Sequence, residues 1–315
     1  MTDIVLVKRY LQHSSLLGFL QENYNVQNLW ENPSLIFKDG LEEKISGIVT
    51  EGFADKELID TFPNTRVIAS FGVGFDGIDV DYATQKGIQV TNTPDVLTDD
   101  VADMAIMLML AASRGLCVGD RLVRQGEFEK GFKWLTQNVY SKKLGILGMG
   151  RIGQAIARRA EAFRLHVSYH GPREKPGLVY PYYSNLNKLA EDSDFLIVSC
   201  PGGEATRMLV SRSVMEALGT EGILINISRG TVIDESAMVE LLKNGELGGA
   251  GLDVFENEPH VPQELLTMDN VVLQPHRGSA TVQTRIAMGQ LVLDNLEAFF
   301  AGKPVPNPVN QVLQN

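Results

Sequence analysis

The sequence predicts an α/β protein built from two doubly wound parallel-sheet domains, and three observations carry that reading. Short apolar runs alternate with amphipathic stretches along most of the chain, the rhythm of strand–helix–strand units rather than of hairpins. A glycine string, Gly148-Met149-Gly150-Arg151-Ile152-Gly153, ends one such run and opens a helical stretch. The chain has 315 residues, more than one ordinary core accommodates, so two domains are expected.

In the first part, Ile4–Val7, Ile45–Thr50, Val67–Phe71 and Ile88–Val90 read as strands of a small parallel sheet. A long helix follows TNTPDV, with Thr98 as its N-cap, Asp99 and Asp100 beside the positive end of the helix dipole, and apolar residues to Ala112. A stronger alternation begins at Lys143. Its strands are KLGILG (143–148), HVSYH (166–170), DFLIVSC (194–200), GILINIS (222–228), GAGLDV (249–254) and NVVLQP (270–275). From Thr281 to Phe300 the pattern is one amphipathic helix, stopped by Gly302 and Pro304 and expected to pack back onto the first domain. The domains are therefore drawn as 1–97, completed by 283–315, and 98–282 as an insertion between them.

Composition removes several function classes. Hydrophobic residues make up 44% and charged residues 21%, a soluble globular balance, and no segment approaches the roughly 20 apolar residues of a membrane span. The start, MTDIVLVKRY, is strand-like where a secretory signal places a basic and then a longer apolar region, so a cytoplasmic chain is expected. Cys117 and Cys200 are too few for a disulfide framework, and neither they nor the five histidines form a metal spacing, so no metal is expected. A net charge of −11 without a basic tract argues against nucleic acid. An anionic substrate would have to be caught by local cations.

The glycine string is informative because of its setting between an apolar strand and the helical GQAIARRAEAF. There Gly148 permits the tight turn, Gly150 lets backbone approach a pyrophosphate, and Gly153 lets helix and strand pack closely, with the helix N-terminus facing the phosphates. The second strand of such a unit carries an acid about 20 residues on when the ribose has a free 2′-hydroxyl. Here it ends Tyr169-His170-Gly171-Pro172-Arg173 without one. A guanidinium binds a 2′-phosphate in fork geometry, so NADP is favoured and NAD remains possible. The plainer alternative makes Arg173 a solvated loop arginine beside Glu174 and Lys175.

Reduction of a 2-oxo acid by hydride needs a cation for the carboxylate, an acid for the carbonyl oxygen, and a partner that keeps that acid protonated. Arg229 in NISRG, Glu258 in LDVFENEP and His276 in LQPHRGSAT each lie beyond a strand end, where open α/β sheets place ligands. Arginine suits the carboxylate, and a Glu–His hydrogen bond favours the imidazolium form that donates a proton. Singly they would be a loop cation, a solvated acid and a structural histidine; together they point to one site.

These motifs resemble the D-isomer-specific 2-hydroxyacid dehydrogenases, close to the glyoxylate/hydroxypyruvate reductase branch. The likeness runs through FGVGFDGID (71–79), TNTPDVLTDDVAD (91–103), LGILGMGRIG (144–153), INISRGTVID (225–234), GAGLDVFENEP (249–259) and LQPHRGSAT (273–281). It implies a Rossmann cofactor domain inserted into a smaller flavodoxin-like substrate domain. It implies that the amides of Val73 and Gly74 hold the substrate carboxylate opposite Arg229, and that Asp253 meets the nicotinamide carboxamide. Cys200, Pro201 and Thr206 would line the adenosine and ribose side, with Ile227, Ser228 and Gly278 also toward the cofactor. It further implies a homodimer around the helix after residue 98, with Trp134 a candidate to reach the partner's site. CPGGEATRMLV departs from the family's commoner histidine-proline-leucine wording, and Arg277 stands where many relatives are apolar.

The function expected is thus an NADPH-preferring reductase of short 2-oxo acids to D-2-hydroxy acids, His276 giving the proton. Phosphite dehydrogenase shares the Arg–Glu–His set and stands as an alternative. A nucleotide-sensing binding protein, like the corepressors that resemble these enzymes, is the alternative from another class.

Overall fold

A computed structural model describes residues 2–6, 15–29, 40–130 and 135–312. They fall into two compact units, one of Met1–Leu97 with Ser279–Asn315 and one of Thr98–Gly278.

The first unit is a parallel sheet of β1 (Asp3–Leu6), β2 (Asn25–Asn28), β3 (Ile45–Thr50), β5 (Val67–Ser70) and β7 (Gln89–Thr91), with a small pairing of β4 (Phe53–Ala54) and β6 (Gly77–Ile78) beside it. The order β2-β1-β3-β5-β7, counted along the main sheet, is the flavodoxin-like 2-1-3-4-5. Ile45, Ile48, Ile68 and Val90 supply branched side chains to the core, each worth about 1.5–3 kcal/mol when fully buried. Around the sheet lie α1 (Ser15–Asn23), α2 (Lys56–Thr61) and α3 (Val80–Gln85), the last two opened by Asp55 and Asp79, whose carboxylates accept the Leu58 and Tyr82 amides. The final helix, α10 (Val282–Phe300), packs on α1, with Gly289 against Leu16. Buried Asn310 then ties the C-terminal segment to the sheet edge: its Oδ1 accepts the Val90 amide at 2.7 Å and its Nδ2 donates to the Ile88 carbonyl at 2.9 Å.

The second unit opens with α4 (Thr98–Arg114) and α5 (Leu116–Arg124). Thr98 is the first helical residue of α4, one position beyond the N-cap place the sequence suggests, and the chain enters the helix through a turn at Asp95 (φ 71°). Its sheet holds β8 (Lys143–Leu147), β9 (His166–His170), β10 (Phe195–Val198), β11 (Ile223–Asn226), β12 (Gly249–Leu252) and β13 (Val271–Leu273), all parallel. Between them run α6 (Arg151–Ala162), α7 (Leu186–Glu191), α8 (Arg212–Leu218) and α9 (Glu235–Asn244). The order is β13-β12-β11-β10-β8-β9, and beyond β9 a parallel bridge joins Tyr169 to Tyr182. That bridge stands in the place of a third strand, so the order becomes the Rossmann arrangement, with a switch point between β8 and β10. Buried Val101, Ala105 and Leu108 seat α4 on the sheet, and it comes close at Gly251, where a Cβ would stand 2.9 Å from Leu108 Cβ. Among the described residues no single helix is long and apolar enough to cross a membrane.

Candidate active site

The glycine string sits at the switch point. Gly148 has φ 99°, and a Cβ there would lie 2.6 Å from the Cys200 nitrogen beyond β10, so the turn after β8 requires glycine. A Cβ on Gly153 would fall 2.2 Å from the Gly148 carbonyl oxygen, which is the close helix–strand contact. Gly150, the N-cap of α6, meets nothing within 4 Å in that direction. Two glycines thus build the turn while the third fronts open space at a helix N-terminus, and these residues fit a dinucleotide pyrophosphate. Met149 is buried beneath the turn, Ile152 is half-buried, and Arg151 is exposed on the first turn of α6.

The loop after β9 is tied at both ends. Tyr169 Oη accepts the Lys175 amide at 2.8 Å, and Tyr182 Oη donates to the Gly171 carbonyl at 3.1 Å, leaving Arg173 exposed between them. His170 is committed elsewhere: its Nδ1 donates to the Tyr183 carbonyl at 2.7 Å, and its ring stacks on Tyr182. Beyond β10, Cys200 is buried, and burial pushes its thiol up to about 11, which makes it a wall rather than a nucleophile. Thr206 Oγ1 closes the exposed loop that follows by donating to the Pro201 carbonyl at 2.8 Å.

Arg229, Glu258 and His276 lie beyond the carboxyl ends of β11, β12 and β13. Buried Asn226 shapes the first of these turns. Its Oδ1 accepts the Ser228 amide at 3.0 Å and hydroxyl at 3.1 Å, and its Nδ2 donates to the Arg229 carbonyl at 2.8 Å. Ile227 and Ser228 are buried in that turn, and Arg229 Nη1 donates to the Ser228 carbonyl at 2.8 Å. At Gly230 a Cβ would stand 1.9 Å from the Phe255 carbonyl carbon, so the Arg229 turn lies directly on the loop that carries Glu258.

In that loop Glu258 Oε1 accepts the Phe255 amide at 3.1 Å, and its Oε2 meets His276 Nδ1 at 2.8 Å. Burial pushes the Glu258 carboxyl up, but the hydrogen bond and charge of His276, the Phe255 amide and the Arg229 guanidinium outweigh it and hold the carboxyl below its ordinary value. A carboxylate can only accept, so Nδ1 carries a proton and Nε2 is the imidazole atom left to face a substrate. His276 itself has φ 52° and is half exposed. Asp253, almost fully buried, holds this segment. Its carbonyl accepts the His276 amide at 2.8 Å, and its carboxylate takes the amides of Arg277 at 2.7 Å and buried Gly278 at 2.8 Å.

Val73 and Gly74 belong to the first unit, in the loop after β5. The Val73 carbonyl accepts from Asn92 Nδ2 at 2.9 Å, and Gly74 lies against Gly52. Trp134 lies outside the described residues.

A switch-point glycine turn and a bonded Glu–His pair on one parallel sheet are now joined by direct comparison. Residues 106–278 match the model of the D-isomer specific 2-hydroxyacid dehydrogenase, NAD binding domain. The chain belongs to the D-isomer-specific 2-hydroxyacid dehydrogenases. It is 49% identical over 299 residues to glyoxylate/hydroxypyruvate reductase A of Arabidopsis thaliana, covering 94% of this chain and 96% of that protein. It is 47% identical over 293 residues to hydroxyphenylpyruvate reductase of Plectranthus scutellarioides, covering 92% and 94%. Among solved structures it resembles the NADPH-dependent glyoxylate/hydroxypyruvate reductase of Sinorhizobium meliloti in complex with NADP and malonate. There the TM-score is 0.91 and identity 42%, over 98% of this chain and 96% of that one. As a member of this family the chain is an oxidoreductase with a nicotinamide-dinucleotide-binding domain, acting on 2-oxo or 2-hydroxy acids.

Sequence reasoning passes over three residues that shape the site. Asn226 carries a local signal, since an Asn at a strand end readily organises the next turn through its side chain. Gly230 and Glu235 carry none, because what each touches lies more than 20 residues further along the chain.

Proposed function

We propose that this dehydrogenase reduces short 2-oxo acids of the glyoxylate/hydroxypyruvate type to D-2-hydroxy acids in the cytoplasm, with NADPH preferred and NADH possible. The observation that carries the reading is the 2.8 Å bond between Glu258 Oε2 and His276 Nδ1, which leaves Nε2 to serve as the proton donor.

When bound on the Gly148–Gly153 turn, the nicotinamide supplies the hydride that reaches C2 of the substrate. Arg229 binds the substrate carboxylate by charge and fork geometry and draws electron density from the neighbouring carbonyl. His276 passes its Nε2 proton to the carbonyl oxygen as C2 is reduced, so the ketone becomes a secondary alcohol. Glu258 stabilises the imidazolium before transfer and keeps the ring oriented after it. By the family resemblance, the Val73 and Gly74 amides are proposed as further donors to the substrate carboxylate. On the cofactor, Asp253 is assigned to the carboxamide and Arg173 to the 2′-phosphate. The missing acid after β9 supports that last assignment, as does the NADP named with the Sinorhizobium meliloti reductase.

A homodimer built on α4 and α5 belongs to the same proposal. It is supported by exposed Met107, Leu116, Val123 and Phe128 in and just after these helices, and light scattering after gel filtration tests it. The reductase reading is tested by mixing pure protein with glyoxylate, hydroxypyruvate, hydroxyphenylpyruvate or pyruvate and either reduced cofactor. Oxidation of NADPH, faster than of NADH, is expected; no oxidation with any pair sinks the reading.

A further inference from the structure

We propose that Glu235 is a positioning residue: by accepting the Glu256 amide, it holds the loop that sets Glu258 against His276 and beside the Arg229 turn. The inference rests on the roles given above to those three residues.

Glu235 is the first residue of α9, where an acidic side chain ordinarily serves its own helix by facing the positive end of the dipole in water. That work is done by Asp234, whose carboxylate accepts the Ala237 amide at 3.0 Å. Glu235 instead is buried, and its Oε2 accepts the Glu256 amide at 3.0 Å. Burial pushes its carboxyl up, and the negative Glu256 and Glu258 push the same way against the pull of the amide. Holding a carboxylate there costs free energy, which its hydrogen bond to the Glu256 amide offsets.

What it organises is the Phe255–Glu256 peptide. The peptide just before it carries the Phe255 amide, which anchors Glu258 Oε1 at 3.1 Å. The Arg229–Gly230 turn presses on the Phe255–Glu256 peptide itself, a Gly230 Cβ being placed 2.2 Å from the Glu256 nitrogen. Arg207 Nη2 meets Glu256 Oε1 at 3.0 Å and fixes the side chain. Moving this one peptide shifts Glu258 relative to both His276 and Arg229, and Glu235 holds its amide.

Two variants separate the acceptor from its surroundings. Glu235→Gln keeps an oxygen for the Glu256 amide, and Glu235→Ala removes it. Hydrogen exchange of the segment around Glu256 reads the clamp whatever the turnover. We expect exchange about tenfold faster in E235A, the scale of one lost charge-assisted hydrogen bond, and near wild type in E235Q. In reduction assays E235A should lose about tenfold or more in kcat, with KM and NADPH affinity by fluorescence titration within about twofold, and E235Q should recover most of kcat. Should E235A fail to fold, Glu235→Asp, whose carboxylate stops short of the amide, replaces it with the same expectations. Unchanged exchange in E235A, exchange in E235Q as fast as in E235A, or cofactor affinity lost in step with kcat overturns the proposal. A wild-type protein without turnover sinks the reductase reading instead, and the exchange result then decides the clamp alone.

Discussion

The Asp253 carboxylate meets the Gly278 amide at 2.8 Å, and its other oxygen takes the Arg277 amide at 2.7 Å. With the Asp253 carbonyl on the His276 amide, one residue receives three successive N–H groups and fixes the turn that presents the imidazole. The turn needs fixing because His276 sits at φ 52°, a conformation that costs a non-glycine residue roughly 1–3 kcal/mol. Asp253→Asn replaces one acceptor oxygen by a donor facing an amide. A loss of about 1.5–3 kcal/mol in the interaction predicts kcat lower by roughly 10- to 100-fold, together with weaker nicotinamide binding. Steady-state kinetics and cofactor titration check it, and an unchanged kcat would show that the turn holds itself.

Glu258 links the site to pH. Its carboxyl is held below its ordinary value, so the stability it contributes is fully present above that value, about 4.3, and is lost as pH falls through the lowered one. Melting temperatures of wild type and Glu258→Gln should therefore differ most above the ordinary carboxyl value, and the gap should close as pH falls below it through the lowered one. A gap that does not change with pH means that the variant acts through packing and not through the charge.

The loop after β9 bears on cofactor choice. Arg173 is exposed at its tip, while Tyr169 and Tyr182 hold the ends through Lys175 and Gly171, so its removal should leave the loop in place. Arg173→Ala is expected to weaken NADPH by roughly 10- to 100-fold and NADH by less than about twofold. Fluorescence titration with both cofactors measures the ratio. Equal losses would return Arg173 to the role of a solvated loop cation.

What the sequence makes legible follows from how far each signal reaches. Strands such as Phe195–Val198 and Ile223–Asn226 are mostly apolar runs buried on both faces, a property of the segment itself. Arg229, Glu258 and His276 can be singled out because each follows such a run closely. The bridge at Tyr182 cannot, since LVYPYYS has neither alternation nor a sustained apolar run, and its pairing depends on Tyr169 being beside it. The bond that joins Glu258 to His276 spans 18 positions, and the one from Glu235 to Glu256 spans 21. Such partners become visible only when the strands between them have been placed side by side.

The glycine string yields a prediction that separates fold from function. A Cβ at Gly153 meets the Gly148 carbonyl oxygen at 2.2 Å, backbone against backbone, with no side chain to give way. Gly153→Ala should then cost about 1–3 kcal/mol or more as overpacking, lowering the melting temperature by roughly 2–12 °C. At Gly150 the same methyl enters open space, and φ there is −76°, which alanine adopts freely. Gly150→Ala should melt like wild type and yet bind NADPH at least about tenfold more weakly, because the methyl occupies the approach of the pyrophosphate to the α6 N-terminus. Calorimetry paired with cofactor titration reads both effects. Normal binding by Gly150→Ala would mean that the phosphates pass elsewhere, since nothing in the protein itself opposes a side chain at that position.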